Sequence, residues 1–451
     1  MEFASIPRLV TTGILANSTT TYSSENDEFR GSRGLIPSEQ PTVGCQPARP
    51  FRSTPTRDEP VQYPTLDQTF EFDPSSDADP DSVRLSIPAK SACYLLEDSD
   101  RSPVLLATTA NFRQAVTKRL LAPPEVPVAG KVDYRQFVRR IRYRIVGSQF
   151  EGNWTYLHNV HETFPKQFRQ LTKHWTAHWI QLDRSVSHPR LSVTQSPVDP
   201  ATDYAGPFAA QKAARNCVEL VEDLFDLCRY YDVLAQSPNG QPCAYKEMAK
   251  CQAPCDGSMP MADYQRDVRA AFSFLTGDRD TWIESTQAAM RSAASDLAFE
   301  VAARLKAKVD RIDELNHESC RFLNHLDGFR FVTIQPGTTR KRCSLFVVDR
   351  GRIAFIDEFP RDITADDLAS PTASCHRHFA DPTSIVDRTA ATAMAMVSWH
   401  LFQGSRDRGW WLRYSDSMTP EDVRYAIDRM ERNKSDSHAA IEHEASEPKV
   451  N

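Results

Sequence analysis

The sequence has no long hydrophobic run and no dense set of cysteines. No segment approaches the roughly 18 consecutive apolar residues that a membrane helix needs. Residues 1–20 also lack the basic start and continuous apolar stretch of a secretory signal. We therefore expect no membrane association and a cytoplasmic location. Neither charge dominates, since 54 Lys and Arg residues stand against 60 Asp and Glu residues. Any contact with nucleic acid must then come from a local basic patch.

Ten cysteines in 451 residues are too few for a disulfide framework. Four of them nevertheless fall within 28 residues, in the spacing C-x14-C-x7-C-x3-C: Cys228, Cys243, Cys251 and Cys255. Thiolates are ligands for zinc and for iron-sulfur clusters, and four cysteines satisfy either. The absence of a C-x-x-C pair argues against a zinc ribbon or knuckle. Ordinary buried thiols remain the alternative to a metal site.

The length suggests about three structural units on the prior of roughly 150 residues each, and the pattern of elements predicts an α+β protein. Residues 1–83 hold ten of the 30 prolines and show no apolar periodicity, which indicates a disordered leader. The remaining divisions that we expect are a small mixed α/β domain over 84–196, a cysteine-rich module over 200–260, a helical region over 261–318, a small sheet with helices over 319–432 and a polar tail over 433–451.

Local patterns predict the main elements of these divisions. Apolar runs at 92–96 and 104–107 indicate a β-hairpin, after which Thr109 is expected to cap a helix. Aromatic residues at helical spacing predict helices over 150–160 and 164–179. Residues 280–315 contain no Pro or Gly, which favours a helical hairpin or a coiled coil. Three apolar runs separated by turn residues predict a small antiparallel sheet over 331–356.

One basic patch is a candidate for contact with DNA. It consists of four arginines in alternation with aromatic and apolar residues: Arg139, Arg140, Arg142 and Arg144. Arginine pairs with phosphate groups in a bidentate manner, and neighbouring aromatic rings can stack on bases. The alternative is a solvated basic face beside a stripe of core residues.

Several motifs resemble the UvrC family, the incision subunit of bacterial nucleotide excision repair. They are the segment YAGPF at 204–208, the run QPCAYKEMAKCQAPCDG at 241–257, the segment FLTG at 274–277 and the run LAFEVAARLKAK at 297–308. The resemblance covers about residues 85–335. It implies a protein of excision repair that docks on UvrB and contacts DNA containing lesions.

The resemblance also implies a cofactor and a partner surface. The four cysteines match the family positions that hold a four-iron, four-sulfur cluster. Zinc is the alternative metal at this site. Six residues match the UVR motif, whose counterpart binds a helical hairpin of UvrB: Leu297, Phe299, Glu300, Ala302, Ala303 and Leu305.

The amino-terminal domain resembles a GIY-YIG nuclease that has lost part of its active site. Tyr94 matches the first tyrosine of that family. The positions of the second tyrosine, the lysine and the arginine are occupied by residues without the required function, Leu105, Thr108 and Ala115.

The position of the metal-binding glutamate aligns best with His158, and Glu151 or Glu162 is the fallback ligand. Mg²⁺ or Mn²⁺ would be needed only if this site is active. Because the loss of one oriented charged group costs around a hundredfold in rate, we expect an impaired nuclease. We also expect the family's second, RNase H-like nuclease domain to be absent.

Three functional hypotheses follow from these residues. The first is a UvrC-like subunit with an impaired endonuclease. The second is a non-catalytic adaptor that has the same iron-sulfur module and the same contact with UvrB. The third is a helical interaction protein whose cysteines hold a structural zinc ion.

Overall fold

A computed structural model describes residues 64–73, 80–121, 132–277, 279–380, 386–403 and 409–445. Over these ranges the chain forms three four-stranded antiparallel sheets with helices packed on them, which confirms the predicted mixture of helix and sheet. Within the same ranges, no helix has the length and hydrophobicity required to cross a membrane.

The first sheet has the strand order β1-β4-β2-β3. Its strands are β1 (Gln68–Glu71), β2 (Ala92–Asp98), β3 (Pro103–Thr109) and β4 (Val138–Ile145). The helices of this region are α1 (Pro80–Ser86), α2 (Phe112–Val116), α3 (Gln149–Thr163) and α4 (Phe168–Thr172). The predicted hairpin is confirmed as β2 and β3. Phe112 and Val116 of α2 pack on one face of the sheet, and Val160 of α3 packs on the other.

The structure differs from the sequence predictions at three places here. Thr109 is the last residue of β3, and the side chain of Asn111 instead accepts the N–H of Gln114 and caps α2. The helix predicted over 164–179 is limited to α4, because the chain enters a strand at His178. Strand β1 lies within the expected leader, where it pairs with β4. Residues 1–63 of that leader, including Cys45, lie outside the described residues.

The second sheet has the strand order β6-β5-β7-β8. Its strands are β5 (His178–Asp183), β6 (Leu191–Thr194), β7 (Thr202–Phe208) and β8 (Asn324–His325). The structure therefore places β5 and β6 with the cysteine-rich region, before the boundary expected at residue 196. Helices α5 (Gln211–Leu224) and α8 (Met261–Thr276) bury their apolar residues in the core of this sheet. Two short helices, α6 (Tyr231–Leu234) and α7 (Ala244–Glu247), lie within the cysteine-containing loop.

A helical hairpin follows α8. It consists of α9 (Arg279–Ser295) and α10 (Phe299–Asp310), which pack against each other. The sequence left a hairpin and a coiled coil open, and the structure has the hairpin. Two 3-10 turns, Arg311–Asn316 and Glu318–Cys320, then lead back to β8.

The third sheet has the strand order β11-β10-β9-β12. Its strands are β9 (Arg330–Pro336), β10 (Arg342–Asp349), β11 (Arg352–Pro360) and β12 (Trp410–Arg413). Its helices are α11 (Ala369–Ala380), α12 (Arg388–Leu401) and α13 (Pro420–Ala445), the last of which continues into the predicted tail. The predicted antiparallel sheet is confirmed. Phe150 of α3 packs with Phe346 of β10 and Met394 of α12, so that α3, which covers the first sheet, also contributes to the core of the third sheet.

Candidate functional site

The cysteine-containing loop (residues 228–257) begins where α5 ends. Cys228, Cys251 and Cys255 are buried, whereas Cys243 is half-buried at the start of α7. The Cys228 thiol donates to the Tyr230 carbonyl over 3.5 Å, and Cys251 and Cys255 both lie near enough to act on Cys228 electrostatically. The structure thus places three of the four predicted ligands near one another.

Backbone hydrogen bonds hold this loop in a compact form. The Gly240 N–H donates to the Cys255 carbonyl over 2.9 Å, and the Ser237 hydroxyl donates to the Pro254 carbonyl over 2.6 Å. Ala253 and Gly257 both have left-handed backbone angles, so the chain turns sharply on each side of Cys255. The compact loop predicted from its proline and glycine residues is therefore present.

The surroundings of the buried thiols favour one thiolate in the pair. The hydrogen bond from Cys228 lowers the pKa of Cys251 to about 7, against the opposing effect of burial. The Ala253 N–H also donates to the Cys251 sulfur over 3.4 Å. The same hydrogen bond raises the pKa of Cys228, because the proton of the pair stays on that sulfur. A thiolate is the form that binds metal.

The four thiols fit a thiophilic metal or an iron-sulfur cluster in donor type. Their arrangement fits less closely. Within the described ranges, no group of three or more His, Cys, Asp or Glu side chains is arranged to hold a metal ion.

Ion pairs join the base of the helical hairpin to the end of α5, directly before this loop. Lys308 of α10 donates to Asp226 over 2.7 Å and to the Leu224 carbonyl over 2.9 Å. Asp223 accepts from Arg311 over 2.8 Å and also pairs with Arg229, the residue after Cys228. The sequence analysis missed these five charged side chains. The spacing of Lys308 and Arg311 by three residues was a signal, because it puts both on one side of the chain that ends α10.

The tip of the hairpin carries unusually exposed apolar side chains. Leu297 is 73% exposed and Phe299 is 64% exposed, and Leu297 has a left-handed backbone conformation in the turn between the helices. The remaining predicted partner-binding residues lie along α10, with Glu300 and Ala303 exposed and Ala302 and Leu305 half-buried. The six residues predicted to bind a partner therefore lie together on one accessible hairpin.

Tyr94 of the nuclease-like domain is buried in β2. Its hydroxyl has no hydrogen-bond partner among the described residues, and burial raises its pKa to about 12. Tyr94 packs with Phe112 on the face of the first sheet that α2 covers. At the other family positions, Leu105 is half-buried, Thr108 is exposed and Ala115 is buried.

His158 lies on α3, and α3 covers the opposite face of the first sheet. Val160 of α3 packs with Cys93, whose side chain points away from the face of Tyr94 because successive side chains alternate along a strand. His158 Nε2 lies 3.2 Å from Glu162, and burial lowers the pKa of the imidazole. The structure therefore does not bring Tyr94 and His158 together in one site.

The fallback ligand Glu151 is buried at the start of α3. Its carboxylate accepts the Gly147 N–H over 2.7 Å and lies 3.9 Å from Arg144, and burial raises its pKa. It lines a cleft of about 370 Å³ between the first and third sheets. The other lining residues are Asp67, Gln68, Lys90, Arg144, Ile145, Thr338, Ser344, Phe355 and Glu358.

Three of the four arginines proposed to contact DNA pair with carboxylates of β2 or of the residue that precedes β1. Arg140 lies 3.5 Å and Arg142 3.6 Å from the buried carboxylate of Glu97. Arg144 lies 3.7 Å from Asp67. Arg139 instead donates to backbone carbonyls, including that of Val138 over 2.7 Å. Much of the positive charge of β4 is thus compensated within the protein.

Residues 177–274 match the family model described as the UvrC/Cho excinuclease middle domain. This segment belongs to that family. It contains β5, β6, β7, the cysteine-containing loop and most of α8, and it begins where the second sheet begins. The relationship to UvrC that the motifs predicted is confirmed.

Relatives named UvrABC system protein C match a larger part of the chain. That of Trichlorobacter lovleyi is 26% identical over 246 residues, which is 53% of this chain and 39% of the relative. That of Dehalococcoides mccartyi is 23% identical over 277 residues, or 61% and 45%. That of Syntrophotalea carbinolica is 33% identical over 135 residues, or 30% and 22%. The chain thus spans less than half the length of these relatives. No solved structure matches it.

Proposed function

We propose that this protein acts in nucleotide excision repair as an adaptor that docks on UvrB through its helical hairpin. The exposed tip of the hairpin is the main support for this proposal. Leu297 and Phe299 present apolar surface to solvent, which does not stabilise a monomer and marks a site of interaction. An apolar helix surface of this kind suits a helical partner. The hairpin follows directly after the segment of the UvrC/Cho middle-domain family, which supports UvrB as that partner.

Binding of UvrB by the full chain tests this docking. We expect Phe299→Ser to weaken the affinity by about tenfold or more, because exposed aromatic residues at the centre of an interface dominate binding. Phe355→Ser is a matched control, since Phe355 is also an exposed phenylalanine but lies on β11. Equal affinities for wild type and Phe299→Ser, measured by calorimetry, would remove the hairpin from the interface.

We further propose that the four loop cysteines hold an iron-sulfur cluster. The donor set and the proximity of Cys228, Cys251 and Cys255 support this, and the cluster would stabilise the loop near the base of the hairpin. Iron, acid-labile sulfide and zinc should be measured in protein purified without oxygen. We expect iron and sulfide to be lost in Cys228→Ser and retained in Cys343→Ser, which alters a buried cysteine of β10. Zinc without sulfide would favour a structural zinc site, and neither metal would refute both.

The separation of Tyr94 and His158 supports an adaptor rather than a GIY-YIG nuclease. A phosphodiester cannot contact both side chains if they lie on opposite faces of one sheet. We expect no Mg²⁺- or Mn²⁺-dependent cutting of a lesion-bearing duplex loaded with UvrB. Metal-dependent cutting that is lost in both Tyr94→Phe and His158→Ala would contradict this, and would restore the nuclease hypothesis.

Of the four arginines of β4, we propose that only Arg139 contacts DNA. The carboxylates near Arg140, Arg142 and Arg144 reduce the charge that these side chains can offer to a phosphate. We expect Arg139→Ala to weaken binding of a short duplex by the chain more than Arg142→Ala does. Equal losses of affinity in the two variants, measured by titration at low salt, would indicate that the other arginines of β4 also contact DNA.

A further inference from the structure

Helix α4 and the residues beside it have an apolar side and a basic side. The apolar residues are partly buried and pack on the core cluster that contains Val160 of α3: Phe164, Phe168 and Leu171. Three basic residues of the same segment are exposed: Lys166, Arg169 and Lys173. We call these three residues the basic face of α4.

The spacing of the three basic residues places them on one side of the helix. At 3.6 residues per turn, positions three and seven residues apart fall within about 60° of each other. Gln167 and Lys173, which flank α4, also have right-handed helical backbone angles, and the Leu171 N–H donates to the Gln167 carbonyl over 2.9 Å. The helical period therefore extends beyond the five residues of α4. Because Phe168 and Leu171 lie on the opposite side, the basic face points to solvent.

No carboxylate compensates the charge of the basic face. In the part of the chain that the structure describes, none of the three side chains forms an ion pair or a hydrogen bond. Positions 163–182 contain no Asp or Glu, although the chain has 60 such residues in 451, or about one in eight. Glu162, the nearest acid in the sequence, lies 3.2 Å from His158. The basic face thus differs from β4, where Glu97 and Asp67 lie beside three of the arginines.

Like charges that lie together on a surface repel one another, and an anionic partner converts this repulsion into binding free energy. We propose that the basic face of α4 binds the phosphate backbone of duplex DNA. The rise from Lys166 to Lys173 is about 10 Å at roughly 1.5 Å per residue. One DNA strand presents a phosphate about every 3.4 Å along the helix axis, so that three cations match about three phosphates. The exposed amides of Gln167 and Gln170 can add hydrogen bonds to phosphate or sugar oxygens.

This inference rests on the proposed repair function, which supplies DNA as the anionic partner. It adds a contact on the side of the first sheet that α3 covers, and it requires neither the cysteine-containing loop nor the helical hairpin. Phosphate contacts carry no sequence information, so the basic face binds damaged and undamaged duplexes alike.

The salt dependence of DNA binding by the full chain tests this contact. Each phosphate that a cation neutralises contributes about −0.9 to the slope of log K against the logarithm of the salt concentration. One variant combines Lys166→Gln, Arg169→Gln and Lys173→Gln. We expect its slope for a short undamaged duplex to be shallower than that of wild type by about 2.7. Between about 50 and about 200 mM salt, wild type should therefore lose about 40-fold more affinity than this variant.

A control variant separates a local contact from an effect of total charge. Arg84→Gln, Arg266→Gln and Arg321→Gln together remove the same three charges, but each of these arginines pairs with a carboxylate three residues away. We expect the control variant to change the slope by less than about 1. Equal slopes for wild type and the α4 variant, or equal changes in the α4 variant and the control, would overturn the proposal.

Calorimetry with UvrB distinguishes this inference from the proposed docking. We expect the α4 variant to bind UvrB as wild type does, which also shows that the variant is folded. A loss of UvrB affinity with an unchanged DNA slope would assign the basic face to an acidic surface of UvrB and would overturn the DNA contact. If wild type itself does not bind UvrB, the docking proposal fails, and the comparison of slopes still decides whether the basic face contacts DNA.

Discussion

Replacement of Glu97 by alanine tests whether the arginines of β4 are structural. The Glu97 side chain is only 6% exposed, and its two oxygens lie 3.5 Å from Arg140 and 3.6 Å from Arg142. Removal of one member of a buried ion pair costs about 3–5 kcal/mol, because an uncompensated charge is left behind.

The cost should be lower here, since both arginines retain other partners. Arg140 lies 3.3 Å from Glu71, and Arg142 donates to the Leu66 carbonyl over 3.4 Å. The arginine side chains are also 25% and 37% exposed, so that water screens part of their charge. We therefore expect Glu97→Ala to destabilise the first sheet by about 2 kcal/mol.

Native-state amide hydrogen exchange in β2 and β4 measures this quantity locally, which suits a chain of several structural units. A loss of about 2 kcal/mol corresponds to roughly 30-fold faster exchange. Glu71→Ala is the matched control, because Glu71 pairs with the same Arg140 but is 74% exposed. We expect it to change exchange by less than about threefold. Equal effects of the two variants would refute the assignment of a buried, charge-compensating role to Glu97.

Two further perturbations test other features of the structure. Burial raises the pKa of Glu222 from 4.5 to about 7, so the folded state binds more protons than the unfolded state and stability falls as pH rises through this range. Glu222→Gln should remove that fall, and its free energy of unfolding should exceed that of wild type by about 2–3 kcal/mol at pH 8. Urea unfolding of both proteins across this pH range measures the difference, and parallel pH profiles would contradict the prediction. A Cβ at Gly147 would lie 2.4 Å from the Gly337 carbonyl carbon, so that Gly147→Ala should cost about 3 kcal/mol. In Gly152→Ala of α3 the added Cβ would meet Val146 at 3.4 Å and Thr108 at 3.9 Å, which are ordinary contacts, so this variant should stay within about 1 kcal/mol of wild type in thermal unfolding. Equal shifts of the two variants would disprove the close approach at Gly147.

The elements that sequence predicted well are those with strong local signals. The hairpin of β2 and β3, the helical hairpin and the antiparallel strands of the third sheet each follow from apolar runs separated by turn residues or from long helical preference. The compact cysteine-containing loop follows from its proline and glycine residues. Such signals act over a few residues and do not depend on what packs against them.

The nuclease-like site could not be judged from sequence for a physical reason. Residues 92–97 of β2 are buried on both faces of the sheet, so the run shows no polar alternation that would tell which side chains share a face. Tyr94 therefore could not be assigned to the side opposite α3. The charge compensation of β4 was equally hidden, because Asp67 and Glu71 lie in a segment whose composition predicted a leader.

Strands β7 and β8 are neighbours in the second sheet, with Ala205 opposite His325 and Gly206 opposite Asn324. The chain that leaves β7 therefore returns to its own starting point after building the cysteine-containing loop and the helical hairpin. The segment between β7 and β8 thus has adjacent ends, as an inserted domain does, so that a short linker could span them. The segment between β7 and β8 could therefore be grafted onto an unrelated antiparallel edge, or the chain could be opened at the hairpin tip by circular permutation. Either change would allow the cysteine-containing loop and the helical hairpin to be studied apart from the rest of the protein.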